Sequence, residues 1–296
     1  MFSFLFTTRN RSDLMIKQIE YIEFNLKNAN LNYEIIIYDD ASDLSIVENV
    51  ALFNSCEKVK FIQGKNQVGL IAARNRLAKE SSDASDFLVF LDDDIFIFNL
   101  ELMLSDCKAI MNGDRNIAVY TVPFLNLPIG ESVGVKAFDY IFDFNKKSKF
   151  VNYFFGGCSI IRKSAFLELG GLEERYFFSL EEEDFSIRLS KFNMKCYLSN
   201  IENIVGIHDQ PKNKNWTDRY VFLLSNRLLF FRKHASYKIV RYVMSFFYIV
   251  LYLFKSRRLA VIIEALKRYQ KLKGEFLLET NFISFFRYYL GRLFHV

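Results

Sequence analysis

Short apolar runs alternate with amphipathic segments along the first third of the chain. Strand-like runs, each about five residues long and apolar nearly throughout, lie at Phe2–Phe6, Glu34–Tyr38, Val59–Gln63 and Phe87–Leu91. Strands with two apolar faces are typical of a parallel sheet that carries helices on both sides. The intervening segments repeat apolar residues at helical spacing, which predicts helices at Asp13–Lys27, Leu44–Phe53 and Leu70–Lys79. The pattern therefore predicts an α/β fold, a Rossmann-like αβα sandwich with right-handed connections.

Polar residues follow three of these strands directly. Because the binding loops of such a sheet lie at the carboxyl ends of its strands, we expect these residues to meet at one edge. They are Thr7, Thr8 and Arg9; Asp39 and Asp40; and Asp92, Asp93 and Asp94. Buried charges are costly unless they are paired or bind metal, so the three consecutive carboxylates favour a cation among them.

The acidic triplet predicts a divalent metal site. Two carboxylates at positions i and i+2 of an extended segment, here Asp92 and Asp94, point the same way. They offer the hard oxygen ligands that Mg²⁺ and Mn²⁺ prefer, and they can share that cation with a diphosphate. The alternative is a solvated turn whose acids cap the next helix, but the buried strand before the triplet favours the metal site.

Asp39 and Asp40 precede a predicted helix that Ser42 or Asp43 already caps. Since one cap is enough, Asp39 and Asp40 are predicted to accept hydrogen bonds from a base or ribose.

A helix rich in small residues begins at Gly69 and carries Arg74 one turn in. Helix N-termini favour phosphate, so Arg74 is predicted to pair with phosphate or with the acidic triplet. The alternative, taking this motif alone, is an ordinary surface arginine.

Three further motifs in the second half of the chain contain candidate site residues. Gly156 and Gly157 lie in a turn between strand-like runs and allow a backbone to approach a sugar closely. The acidic run Glu181–Asp184 begins a helix, where acids complement the helix dipole, but four exceed what capping requires. One buried member with a raised pKa is predicted to act as a general base. His208 closes an apolar run, and it is either structural or a partner of Asp94 in a metal site.

Composition places the chain among globular proteins, because 51% of its residues are apolar and 25% are charged. The net charge of +5 conceals an asymmetry: residues 1–210 hold 22 basic and 30 acidic residues (−8), and residues 211–296 hold 17 and 4 (+13). The four cysteines, Cys56, Cys107, Cys158 and Cys196, have no paired spacing and are predicted to be buried free thiols. The N-terminus lacks the pattern of a signal peptide, which favours a reducing cytoplasm.

The basic C-terminal region is predicted to be helical and to lie on a membrane surface. Its apolar run Tyr242–Phe254 has 13 residues, fewer than the roughly 20 of a spanning helix, and basic residues flank it. A helical stripe follows at Leu259, Ile262, Ile263, Leu266 and Tyr269. This combination suits an anionic inner leaflet. The alternative is an appendage that packs on the core or on a second subunit. Nucleic acid is disfavoured, because the basic residues alternate with aliphatic stripes.

Taken together, residues 2–235 resemble the family 2 glycosyltransferases, which have the GT-A fold. The order of motifs carries this resemblance: an opening strand with threonines, the Tyr-Asp-Asp-Ala-Ser turn ending at Ser42, and the Ala-Arg-Asn helix ending at Asn75. The Asp-Asp-Asp triplet, a long signature from Gly156 to Phe192, and the pair Ile207-His208 follow in the family's order. Asn226-Arg227 resembles a stretch common after the catalytic core. Ala41 stands where glycine is usual, and Glu182 stands where the family's catalytic aspartate is expected.

The resemblance implies inverting transfer of a sugar from a nucleotide-diphosphate donor to a hydroxyl of a glycan or lipid-linked acceptor, in bacterial surface polysaccharide synthesis. It implies that Thr7, Thr8, Arg9, Asp39, Asp40, Arg74, Asp92, Asp93, Gly156 and Gly157 bind the donor. Asp94, Asp92 and His208 would hold Mn²⁺ or Mg²⁺, and Glu182 would be the base, with Glu181 and Asp184 as alternatives. Residues 1–212 would form the catalytic domain, divided into a nucleotide-sugar half (1–98) and an acceptor half (99–212). Residues 213–296 would form the C-terminal region.

Rival functions are a non-catalytic scaffold subunit and a sugar nucleotidyltransferase. The nucleotidyltransferase is disfavoured because the loop after the first strand has no glycine, and a dehydrogenase because no Gly-x-Gly-x-x-Gly motif occurs. The predicted location is the cytoplasm, peripheral on the inner membrane, and a homo-oligomer is compatible with the sequence.

Overall fold

An eight-stranded sheet forms the centre of the computed structural model, which describes residues 1–43, 57–127, 150–199, 201, 204–209, 216–274 and 285. The strands are numbered in chain order and lie side by side as β3 (Val59–Gln63), β2 (Tyr33–Asp39), β1 (Phe2–Thr8), β4 (Phe87–Leu91), β9 (Cys158–Arg162), β6 (Ile117–Thr121), β10 (Lys195–Leu198) and β8 (Phe150–Val151). β1 to β4 pair in parallel, as the apolar runs predicted, whereas β9 runs antiparallel between β4 and β6. A small second sheet joins β5 (Ile95–Phe98), β11 (Val205–Asp209) and β7 (Phe124–Leu127).

Helices cover both faces of the large sheet. They are α1 (Ser12–Leu26), α2 (Leu70–Glu80), α3 (Leu100–Gly113), α4 (Lys163–Glu168), α5 (Glu181–Lys191), α6 (Trp216–His234), α7 (Lys238–Ser256) and α8 (Leu259–Leu272), with a 3-10 turn at Glu174–Tyr176. The predicted helix Leu44–Phe53 lies outside the described residues. β1 shows how the faces separate: Phe4 and Phe6 join one core with α1 and α3, while Leu5 joins the other with α2, α5 and α6. Alternation along fully buried strands thus builds two apolar layers.

β1 and β2 extend further at their carboxyl ends than the apolar runs indicated. β1 ends at Thr8 and β2 at Asp39, and these two residues are register partners. Thr7, Thr8 and Asp39 are therefore the last strand residues rather than loop residues. Strand hydrogen bonding continues past the apolar run because the neighbouring parallel strand offers partners to the backbone of these polar residues.

The C-terminal helices differ in how deeply they are buried. α6 places Leu229, Phe230 and Phe231 in the core beside the sheet, and all three side chains are fully buried. α7 and α8 pack on α6 through a smaller apolar cluster that includes Leu224, Tyr252 and Ala265. The division of the chain between residues 212 and 213 stays a prediction.

α7 is longer than the apolar run within it, since it spans 19 residues from Lys238 to Ser256. By length and composition alone it is the one helix among the described residues that could cross a membrane. Cys107, Cys158 and Cys196 are buried free thiols, as predicted, and Cys56 lies outside the described residues.

Candidate active site

A cleft of about 600 Å³ opens at the carboxyl edge of β1, β2 and β4. Of the residues predicted from sequence, it is lined by Thr7, Thr8, Arg9, Asp40, Arg74, Asp92, Asp93, Asp94, Gly157, Glu181 and Glu182. Residues from both halves of the sheet thus share one cavity, as the rule for the carboxyl edges of parallel strands predicts. Three other predicted residues, Asp39, Gly156 and Asp184, are buried and do not line it.

The acidic triplet forms a turn, because the amide of Ile95 donates to the carbonyl of Asp92 at 3.1 Å. The expectation of an extended segment was therefore wrong. Asp93 is buried and accepts from Thr8 Oγ1 at 3.0 Å and from Arg11 at 2.7 Å. Asp94 also accepts from Arg11, at 3.1 Å. The three carboxylates thus pair with two different arginines: Asp93 and Asp94 with Arg11, and Asp92 with Arg74.

Arg11 is a site residue that sequence reasoning did not single out. It immediately precedes α1, and its guanidinium holds two of the three triplet carboxylates. The signal available was electrostatic: three buried acids need cations, and Arg9 and Arg11 stand on the loop after β1. Arg9 lines the cleft and lies 3.8 Å from Asp43.

Carboxylate crowding persists despite these arginines. Burial, which outweighs the opposing charge of Arg11, raises the pKa of Asp93 to about 6, and the neighbouring Asp94 and Asp92 carboxylates add to it. The side chains that the structure describes include no preformed group of three metal-binding residues. The chemistry of the triplet nevertheless fits a divalent cation, because its oxygens are hard ligands and an added positive charge would relieve the crowding.

His208 belongs to β11, where its backbone pairs with Ile95 of β5. This register places it opposite the residue that follows Asp94. Its side chain is outside the described part of the structure, so its role as a metal ligand stays a prediction.

Arg74 links the donor side of the cleft to helix α5. Its side chain is 4% exposed, and it donates to Asp92 at 2.7 Å and to Glu181 at 3.2 Å. Of the two predicted partners of Arg74, phosphate and the acidic triplet, the structure contains the contact with the triplet. A buried arginine between two carboxylates fixes their separation across the cleft.

Asp40 and Asp39 both have structural partners. Asp40 accepts from the amides of Val68 and Gly69, at 2.6 and 2.9 Å, and thereby anchors the start of α2. Asp39 accepts from the amide and hydroxyl of Ser42 through one oxygen, and its other oxygen is buried without a hydrogen bond among the described residues. Each oxygen of the Asp40 carboxylate can accept a further hydrogen bond, so the predicted contact with a base or ribose stays a prediction.

The four acids of α5 divide between the cleft and the protein interior. Glu183 forms a two-point ion pair with Arg227 at 2.6 and 2.9 Å, and Asp184 is fully buried. Glu181 and Glu182 line the cleft. Burial raises the pKa of Glu181 even though Arg74 opposes the rise. Burial, followed by the charge of Glu181, raises the pKa of Glu182 well above its ordinary value.

Asp184 was a candidate base on sequence grounds, and its surroundings make it unsuited to that role. Its carboxylate accepts from Tyr176 at 3.1 Å and contacts Arg188 at 2.8 Å, Lys233 at 3.0 Å and His234 at 2.7 Å. Burial alone would raise the pKa of Asp184, but these cationic partners hold it well below its usual range. An inaccessible carboxylate held in its ionised form is a poor proton acceptor, so Glu182 and Glu181 remain as candidates.

Gly156 and Gly157 make room for carboxylates. A Cβ atom on Gly156 would lie 2.7 Å from Oε1 of Glu182, and one on Gly157 would lie 2.8 Å from Cγ of Asp92. The amide of Gly156 also donates to Glu182, at 3.3 Å. The sequence predicted a close approach to a sugar at these glycines, whereas the groups that approach them here are Glu182 and Asp92.

A strained loop leads into α5 and forms part of the cleft wall. Phe177, Ser179 and Leu180 have φ angles of 63°, 67° and 75°, which non-glycine residues rarely adopt. Phe178 and Ser179 line the cleft.

The C-terminal helices hold this loop. Asn226 of α6 donates to the carbonyls of Tyr176, Phe178 and Ser179, at 2.9, 2.6 and 3.1 Å. Arg268 of α8 donates to the carbonyl of Tyr176 at 3.1 Å and to Oδ1 of Asn226 at 2.7 Å. The sequence pattern identified Asn226 only by its resemblance to a common motif and did not predict this contact.

Comparison with known proteins identifies the family of this chain. The family model described as glycosyl transferase family 2 matches residues 5–170, more than half of the chain. The chain therefore belongs to glycosyltransferase family 2 and has a GT-A fold. A comparison with curated protein sequences gives no significant match.

Solved structures with the same fold are distant in sequence. S. aureus TarS 1–349 in complex with UDP-GlcNAc has a TM-score of 0.60 at 13% identity, covering 92% of this chain and 80% of TarS 1–349. The mannosyltransferase PcManGT from Pyrobaculum calidifontis, in complex with GDP-Man and Mn²⁺, has a TM-score of 0.60 at 11% identity, covering 99% and 87%. GalNAc-T7 with UDP, GalNAc and Mn²⁺ has a TM-score of 0.58 at 18% identity, covering 79% and 48%. At these identities the similarity shows the fold alone.

Proposed function

We propose that the cleft transfers a sugar, with inversion, from a nucleotide-diphosphate sugar to a hydroxyl of a glycan or lipid-linked acceptor. The observation that carries this proposal is the position of Glu182 in the same cleft as the acidic triplet, connected to it through Glu181, Arg74 and Asp92. A general base and a site for a charged leaving group then face one cavity. The nucleotide sugars named for TarS and PcManGT support this donor class.

The donor side of the cleft supplies groups suited to a nucleotide diphosphate. Thr7 Oγ1 is buried without a hydrogen-bond partner among the described residues, and its residue lines the cleft. Arg9, Arg11 and Arg74 offer positive charge near the triplet. Asp92 and Asp94 would hold Mn²⁺ or Mg²⁺, with His208 as a further predicted ligand. When bound, the cation would neutralise charge on the leaving diphosphate.

Glu182 would accept the proton of the acceptor hydroxyl as that oxygen attacks the anomeric carbon. The bond from that carbon to the diphosphate oxygen breaks on the opposite face, which inverts the configuration. The raised pKa of Glu182 supports this role, because its carboxylate is then a stronger proton acceptor than an exposed glutamate. Glu181 is paired with Arg74, whereas no ion pair engages Glu182 in the part of the chain that the structure describes.

The test is an assay of the full chain with a panel of nucleotide sugars, Mn²⁺ or Mg²⁺, and glycan or lipid-linked acceptors. Nucleotide release reports turnover, and proton NMR of the product reports its anomeric configuration. We expect inversion relative to the donor, while retention would overturn the single-base mechanism. Donor binding without any nucleotide release across the panel would favour the scaffold alternative. A role in bacterial surface polysaccharide synthesis is proposed from the family resemblance, and the acceptor panel tests it.

A further inference from the structure

Exposed apolar side chains are concentrated on the last two described helices. Sixteen large hydrophobic residues are exposed among the described side chains, and nine of them lie between residues 239 and 263. These nine are Ile239, Tyr242, Val243, Phe246, Phe247, Leu253, Phe254, Leu259 and Ile263. We call this set the apolar face of α7 and α8. Single exposed apolar residues need no explanation, but a contiguous patch marks an interaction surface.

α7 has two distinct sides. Val240, Met244, Tyr248 and Tyr252, spaced four residues apart, pack against the two apolar clusters beneath the helix. On the other side Tyr242, Phe246 and Phe254 are 67%, 70% and 75% exposed. Because the inner side is bound to the protein, the helix would have to leave α6 in order to cross a bilayer. The geometry instead suits a helix that lies flat, with its outer side in the boundary between headgroups and acyl chains.

Positive charge frames the apolar face. Residues 238–273 contain nine Lys and Arg and one acid, Glu264. Lys238 lies at one end of α7, and Lys255, Arg257 and Arg258 lie at the other, all exposed. Basic residues beside an apolar surface are attracted to anionic headgroups within a Debye length. A second copy of the chain would bring the same positive charge against this face, which disfavours self-association.

We propose that the apolar face of α7 and α8 docks on an anionic phospholipid surface and holds the protein peripherally on the cytoplasmic face of a membrane. α8 also carries Arg268, which is bonded to the loop that forms the cleft wall. The docked surface and the cleft are therefore connected by direct contacts. If the proposed function holds, this placement brings the active site to lipid-linked acceptors, but docking itself does not depend on that function.

Flotation of the full chain with vesicles tests the proposal. We expect flotation with phosphatidylcholine vesicles that contain phosphatidylglycerol, weaker flotation with phosphatidylcholine alone, and loss of the difference at high salt. Replacing both Phe246 and Phe247 with serine should weaken binding about tenfold or more. Phe24→Ser is the matched control, because Phe24 is 82% exposed on α1, outside the apolar face, and its replacement should leave flotation unchanged.

The control measurements separate docking from folding and from self-association. Equal urea midpoints for the wild type and the double variant would exclude unfolding as the cause of lost flotation. If the double variant does not fold, the lipid and salt dependence of the wild type still decides the matter. Flotation of the double variant at the wild-type level would overturn the proposal. The proposal would also be overturned if the wild type did not float with anionic vesicles and instead sedimented as a dimer that the double substitution disrupts.

Discussion

Replacing Asn226 with alanine should release the loop that forms the wall of the cleft. Asn226 is fully buried, and its side-chain amide donates to three loop carbonyls, while its oxygen accepts from Arg268. The same loop contains three non-glycine residues with positive φ, each costing about 1–3 kcal/mol when held in place. The side-chain amide of Asn226 is therefore a polar restraint that holds the loop in this strained conformation.

The magnitude follows from the partly buried carbonyls of Phe178 and Ser179, which lose the Asn226 donor, whereas the carbonyl of Tyr176 keeps Arg268 as a donor. A buried group left without its hydrogen bond costs about 1–3 kcal/mol, and partial relaxation of the loop returns some of this. We therefore expect Asn226→Ala to lower the free energy of unfolding by about 2–4 kcal/mol. Relaxation should displace Phe178 and Ser179 from the cleft wall, so acceptor turnover should fall more than donor affinity.

The assay combines urea unfolding with donor calorimetry and transfer rates at saturating donor. Ser225→Ala is the matched control: Ser225 is the buried neighbour on α6, and its hydroxyl donates to Phe222 and accepts from Arg268. That control should cost no more than about 1 kcal/mol and should preserve transfer. Wild-type stability and wild-type transfer in Asn226→Ala would refute the reasoning.

Other predictions concern the cleft and the interior. Gly157→Ala should displace the Asp92 carboxylate and weaken donor binding in calorimetry. Gly113→Ala is the control, because a Cβ atom there meets no atom within 4 Å and should leave donor affinity unchanged. Equal donor affinities in the two variants would contradict this account of Gly157. Asp184→Asn should lower the free energy of unfolding by about 3–5 kcal/mol at neutral pH, because it leaves buried cations uncompensated. Since the pKa of Asp184 is depressed in the folded state, the ionised carboxylate stabilises the fold above pH 3.8, its ordinary pKa, and this stabilisation is lost as pH falls below that value. Urea unfolding measured from neutral pH to below pH 3.8 should show the loss in the wild type and not in Asp184→Asn. Asp94→Ala, like chelation of divalent cations by EDTA, should abolish transfer, and transfer by Asp94→Ala that Mn²⁺ still stimulates would argue against this metal ligand.

Local sequence pattern predicted the four parallel strands β1 to β4 of the large sheet and the general position of the cleft. Apolar runs such as Phe87–Leu91 are strands because both of their faces are buried, and polar residues at their ends must then meet at one edge. The choice of partners within the cleft was not predictable in the same way. Arg11 and Asp93 are 82 positions apart, and Lys233 and Asp184 are 49 apart, so their pairing depends on the complete fold.

The acidic run of α5 shows the difference between what the sequence pattern predicts and what tertiary contacts decide. Its helical start was predictable from four acids before an apolar stripe, and α5 does begin at Glu181. Which acid faces the cleft depends on basic side chains of α6. Arg227 forms an ion pair with Glu183, and Lys233 and His234 contact Asp184, so these two acids face the protein interior. The pattern therefore indicated the helix and a set of candidate bases, and tertiary contacts reduce that set to Glu182 and Glu181.

The most direct test of the proposed mechanism is sugar transfer by Glu182→Gln measured beside its donor affinity. Glutamine preserves the size of the side chain and its hydrogen bond from Gly156 but cannot accept the acceptor proton. We predict donor binding at the wild-type level in calorimetry and a loss of transfer of about a hundredfold to ten-thousandfold. Full transfer by Glu182→Gln would contradict the assignment and make Glu181 the remaining candidate base.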